Sequence, residues 1–177
     1  MLRYLNTACL AFLALIGNRV LAEDHVDDQL HPFIPLIGKT WKGEFKGPSS
    51  ENSAIDVSRW ERALNGKAIR ILHSLNDGQY GGESLIFWDS QREEIISIYV
   101  TTAGFYTEGT ITFKEGQFHS QEFVKGNQNG ITEVRAIGEL LPDGTLLNKA
   151  QYLKDGEWTA WQEVIYREDP TAKVILK

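Results

Sequence analysis

The stretch RWERALNGKAIRILH, Arg59 to His73, decides how the chain is read. Two runs rich in β-branched and aromatic residues flank Asn65-Gly66, a dipeptide that tolerates the positive φ a two-residue hairpin turn requires. With a tight turn there, Leu64 pairs with Lys67, and Trp60, Arg62, Ile69, Ile71 and His73 share one face. Glu61 and Arg70 stand opposite each other on the other face, a favourable cross-strand pair in water.

The same punctuation recurs at Asp77-Gly78, Ala103-Gly104, Glu115-Gly116, Asp143-Gly144 and Asp155-Gly156. It predicts about ten strands, near 40–45, 54–64, 67–75, 83–89, 94–102, 105–114, 117–125, 131–141, 145–154 and 157–167. The one helical candidate is DDQLHPFIPLIG, near 27–37, where Asp27 or Asp28 can cap a short turn that Pro35 limits. Strands joined only by hairpins stack as two sheets or curl shut, and closure is what removes exposed edges. The expected fold is therefore all-β: a closed up-and-down antiparallel barrel with a short N-terminal helical segment. An outer-membrane barrel is disfavoured, because Glu61, Arg70, Glu108 and Lys114 interrupt the outer wall.

Register propagates the inner face. Through Asp77-Gly78 it selects Ser84, Ile86 and Trp88 of ESLIFWDS (83–90). The DSQREE turn has no defined length, and Ile96, Ile98 and Val100 are taken as the inward continuation. Thr107, Gly109, Ile111 and Phe113 follow, then Phe118, Ser120, Glu122 and Val124; beyond residue 126 the register is lost. Leu85 and Phe87, with Ile95 and Tyr99, would form an apolar patch outside. Phe33, Ile34, Leu36 and Ile37 are one candidate cover for it, and a homodimer interface is the other.

Residues 1–22 have the outline of a secretory signal peptide: Arg3, an apolar run from Ala8 to Ile16, and Val20-Leu21-Ala22 as a processing site. The apolar run is shorter than the roughly 20 residues of a spanning helix, so no membrane span is expected. The domains read as a signal peptide over 1–22, an N-terminal segment over 23–39, the barrel over 40–168 and a C-terminal tail over 169–177. The formal charge is −6, and losing Arg3 and Arg19 makes it more negative, which disfavours nucleic acid and anionic lipid. The single cysteine, Cys9, lies in the signal segment, so the exported chain has no disulfide; secretion to a bacterial periplasm fits that pattern.

The segment PLIGKTWKGEF, with Gly38 and Trp41 before the first strand, resembles the start of calycin-superfamily barrels. With RWERALNGK, ESLIFWD, the Gly104 and Gly109 pair and the closing WTAWQEVIYR, the chain is similar to bacterial lipocalin-like domains of unknown function. Nitrobindins, ten-stranded haem-binding barrels, have a start like Leu36, Gly38, Trp41 and Gly43. That resemblance implies a haem-binding histidine late in the chain; this sequence has none after His119, so haem is not expected.

No phosphate loop, nucleophile elbow or metal spacing is present: His25, His31, His73 and His119 are scattered, and neither metal nor other cofactor is expected. The residues expected to line a ligand site are Trp60, Arg62, His73, Ser84, Trp88, Thr107, Phe118, Ser120 and Glu122. Arg62 would suit a ligand carboxylate, because its guanidinium donates in a planar fork; an ion pair with Glu122 is its structural alternative. The expected function is binding of a small, mostly apolar ligand, acidic if Arg62 reaches it, inside the barrel. The alternatives are an interaction module using the outer patch and an acid/base enzyme using His73 and Glu122; no catalytic residue is assigned.

Overall fold

A computed structural model describes residues 25–45, 53–126 and 129–177. The proposed signal peptide and Cys9 lie outside the described residues. The strands are β1 (Thr40–Phe45), β2 (Ala54–Ala63), β3 (Ala68–Leu75), β4 (Tyr80–Asp89), β5 (Glu94–Thr101) and β6 (Tyr106–Lys114). They continue with β7 (Gln117–Lys125), β8 (Ile131–Leu140), β9 (Leu146–Lys154), the two-residue β10 (Glu157–Trp158) and β11 (Gln162–Glu168).

Each strand pairs antiparallel with its sequence neighbour from β1 to β9, and β11 bridges β9 to β1, closing a ten-stranded barrel. The last predicted strand is thus broken. β10 and β11 both pair with β9, on either side of Thr159–Trp161. Neither nearby tryptophan is in the core: Arg135 lies 4.2 Å over the Trp158 ring, and Trp161 is exposed.

The hairpin around Asn65-Gly66 has the expected register, with Arg62 opposite Ile69 and Glu61 opposite Arg70. The next hairpin pairs Ile71 with Ser84 and also agrees. At β5 the expectation fails. Ser84 pairs with Tyr99, Ile86 with Ser97 and Trp88 with Ile95, so Ile95, Ser97 and Tyr99 point inward. Ile96, Ile98 and Val100 take the other face of the strand, on which Val100 is 56% exposed but Ile96 is buried. Two turns explain why the error stays local. The β4–β5 turn holds four residues, organised by Asp89 Oδ1, which accepts from the backbone N–H groups of Gln91 and Arg92. The β5–β6 turn holds three residues rather than two, with Thr101 N donating to Phe105 O, and this restores the predicted inner face at Thr107, Gly109 and Ile111, whereas Phe113, near the end of β6, is exposed.

The N-terminal segment is a 3-10 helix, Asp28–Leu36, capped by Asp27. Leu30, Phe33 and Leu36 recur every third residue, the period of a 3-10 turn, and so form one buried stripe. Pro32 and Pro35 lie within it, and each lacks the N–H that a regular α-helix would need. This stripe does not cover the outer face of β4 and β5, as the sequence suggested. It enters one end of the barrel, where Phe33 stacks on Trp60 (centroids 6.2 Å apart) and packs against Phe118 (5.6 Å). Trp41, Ile69, Ile86, Ile95, Ile111 and Leu146 complete that sealed core. Backbone and side chain both hold the plug: Asp27 N donates to Gly66 O, and Lys67 Nζ lies 2.9 Å from Asp27 Oδ2. Among the described residues no helix is long and apolar enough to cross a membrane.

Candidate functional site

Above the plug the barrel is hollow. A cavity of about 380 Å³ remains between the strands, inside the ~300–1,000 Å³ range of small-molecule pockets. Its floor is Phe33, Trp60 and Phe118, and its walls include Ile71, Ile86 and Ile111. Aromatic and branched side chains reach it because they occupy alternate positions of strands whose other face is turned outward.

The polar groups concentrate at the opposite end. His73 Nδ1 lies 2.9 Å from Asp56 Oδ1, and His73 Nε2 lies 2.6 Å from the Tyr99 hydroxyl. Tyr99 is in turn 2.8 Å from the Tyr80 hydroxyl. Tyr166 donates to the second Asp56 oxygen at 2.9 Å. Asp56 is an acceptor only, so the imidazole presents Nδ1–H to it. With neutral His73, Nε2 accepts from Tyr99 and Tyr80 donates to Tyr99. With protonated His73, Tyr99 accepts from Nε2–H and donates to Tyr80, which frees the Tyr80 proton for a ligand. One chain of hydrogen bonds thus has two orientations, and both satisfy its members.

Burial pushes the phenols of Tyr80, Tyr99, Tyr152 and Tyr166 above their ordinary range, so all four are neutral donors at physiological pH. For Tyr166 the nearby Asp56 carboxylate adds to the effect.

Glu122 is the second carboxyl of the cavity. Thr107 donates its hydroxyl to Oε2, and the Ser120 hydroxyl also donates to the carboxylate. Burial nevertheless raises the Glu122 pKa above the usual carboxylate range. The inward position opposite it on β6 is Gly109, where a Cβ would fall 2.7 Å from the Glu122 Cα; the missing side chain lets the two strands approach there.

Of the residues expected to line a site, Trp60, His73, Ser84, Thr107, Phe118, Ser120 and Glu122 do line the cavity. Two do not. Arg62 has the inward parity but sits at the end of β2, where its Nε donates to His25 O at 2.7 Å beside the plug. It neither meets a ligand in the cavity nor pairs with Glu122 there. Trp88 packs against the sealed core. Ile95 and Tyr99, expected in the outer patch with Leu85 and Phe87, are in the core and the cavity respectively.

Asp56 and Tyr80 were missed although continuing the alternation from Trp60 and from Ser84 reaches them. Tyr99 was hidden by the β5 register, and Tyr152 and Tyr166 lie beyond the point where register could be followed.

The chain matches no protein-family profile and no curated protein. Among solved structures it is similar to the crystal structure of Rv2717c from M. tuberculosis, with a TM-score of 0.56 and 11% identity. The match covers 82% of this chain and 99% of that one. At that identity the likeness concerns the barrel fold alone.

Proposed function

We propose that this is an exported lipocalin-like binding protein that takes a small, mostly apolar ligand with a hydrogen-bonding end into the barrel. The observation that carries this reading is the 380 Å³ cavity, apolar at the plugged end and lined at the other by Asp56, His73, Tyr80, Tyr99 and Glu122. Such a division suits a ligand whose apolar body lies over Trp60 and Phe118 while its polar end meets the hydroxyls and carboxyls. The acidic variant of the ligand loses its support, because Arg62 is outside the cavity. Export to a periplasm rests on the signal-like residues 1–22 and on the absence of cysteine after Cys9.

Native mass spectrometry of protein purified from its own source, followed by denaturation and small-molecule analysis, tests the binding function. A stoichiometric apolar compound released on unfolding is the expected result. Failure to retain any compound, together with unchanged Trp60 fluorescence across a panel of apolar probes, would remove the proposal. The same intact-mass measurement checks export, for which the expected first residue is Glu23.

A further inference from the structure

The charges inside the barrel are distributed unevenly. The described residues lining the cavity include Asp56, Glu122 and His73 but no lysine or arginine. Asp56 already has a partner on each oxygen, His73 on one and Tyr166 on the other. Glu122 differs from the acidic residues that meet cations elsewhere in the fold, such as Glu83 with Arg70, Glu163 with Lys149 and Asp27 with Lys67. Its described partners are the neutral hydroxyls of Thr107 and Ser120. A half-buried carboxylate whose described partners are hydroxyls has no described counter-charge, and a ligand that desolvates it further without supplying one binds at a cost.

The surroundings suit a cation. Tyr80, Tyr99, Phe105 and Tyr152 line the same end of the cavity, and Phe105 stacks on Tyr80 with centroids 6.4 Å apart. Tyr99 and Tyr152 lie close enough to Glu122 for its charge to raise both phenols. Aromatic faces attract an ammonium through their quadrupole, most strongly where water is excluded. The apolar floor beyond them accommodates a hydrocarbon or aryl body.

We infer that the cavity selects a protonated amine: an arylalkyl or alkyl ammonium whose head binds Glu122 among these aromatic rings while its apolar body rests on Trp60 and Phe118. This inference rests on the binding function proposed above and specifies its ligand class. Neutral ligands of the same shape lose the charge-assisted hydrogen bond, and carboxylates meet Glu122 and Asp56 with no lysine or arginine among the described lining residues to offset them.

Three probes of one skeleton test it: phenylbutylamine, phenylbutanol and phenylbutyrate, titrated calorimetrically into the full chain at neutral pH. The amine is expected to bind at least about tenfold tighter than the alcohol, and the carboxylate weakest. Glu122→Gln keeps the side-chain shape and a hydrogen-bonding end and should abolish the amine's advantage over the alcohol. The wild-type pH profile gives a second reading that does not depend on the variant folding. The titratable groups that share the cavity with Glu122 are Asp56, His73, Tyr80, Tyr99, Tyr152 and Tyr166, of which Tyr99 and Tyr152 feel its charge. As pH rises from the acid side Glu122 ionises while the amine stays protonated, so amine affinity should climb and alcohol affinity stay level. Equal binding of amine and alcohol with a flat amine profile overturns the inference and leaves the binding function standing. Binding of none of the three probes overturns both.

Discussion

Asp56 and Tyr166 are hydrogen-bonded at 2.9 Å across an intervening strand. Asp56 is on β2 and Tyr166 on β11, and the β1 residue between them in the row is Gly43. A Cβ on Gly43 would lie 2.8 Å from the Tyr166 ring, so the missing side chain is what lets the phenol reach the carboxylate. With His73 on the other oxygen, one buried carboxylate ties β2, β3 and β11 together at the mouth of the cavity.

Replacing Asp56 by alanine leaves the His73 N–H and the Tyr166 hydroxyl without their acceptor. Hydrogen bonds to charged groups are worth ~1.5–3 kcal/mol each, so a loss on the order of 3 kcal/mol is expected in urea unfolding. Asp56→Asn should cost less, because its amide oxygen still serves one donor. Equal stability of wild type and Asp56→Ala would show that this network contributes nothing.

Gly43→Ala forces Tyr166 and Val164 aside, since its Cβ would lie 2.7 Å from Val164 Cγ1. A destabilisation of about 1–3 kcal/mol is expected, as for other overpacked positions. In a Tyr166→Phe background the same substitution should cost less, because the displaced hydrogen bond is already absent. A double-mutant cycle reads this coupling, and strict additivity would disprove it.

Glu122 gives stability a defined pH dependence. Its folded pKa is raised above the unfolded value of about 4.3, so the folded state holds the proton more tightly. The sign follows: the favourable contribution is present below the unfolded pKa and is lost as pH rises through the folded pKa. Relative to Glu122→Gln, wild type should therefore lose stability as pH rises across that window. Parallel stability curves for the two proteins would contradict the raised pKa.

Phe33→Ala removes the centre of the plug, where the ring meets Trp60 and Phe118 and is fully buried. Buried Phe→Ala substitutions cost about 3–5 kcal/mol. The expected thermal unfolding midpoint is well below that of wild type, with Trp60 fluorescence shifted toward that of a hydrated indole. An effect below about 1 kcal/mol would mean that the segment is dispensable for closing the barrel.

Local chemistry made much of the barrel legible. Asn65-Gly66, Asp77-Gly78 and Glu115-Gly116 set hairpin registers that the structure reproduces, because positive-φ residues allow few turn geometries and each turn dictates its pairing. That was enough to bring Trp60, His73, Ser84, Thr107, Phe118, Ser120 and Glu122 to one interior. Tertiary structure alone decided the face of β5, where Ile95, Ile96, Ile98, Tyr99 and Val100 make both sides apolar and the flanking turns differ in length. It also decided where the 3-10 stripe of Leu30, Phe33 and Leu36 docks, since an apolar stripe carries no address until a closed barrel offers an end of matching width. Arg62 and Glu122 were separated for a related reason. Strand parity says which way a side chain points, whereas height along the barrel, which put Arg62 beside the plug and Glu122 in the cavity, emerges only when every strand's stagger is in place.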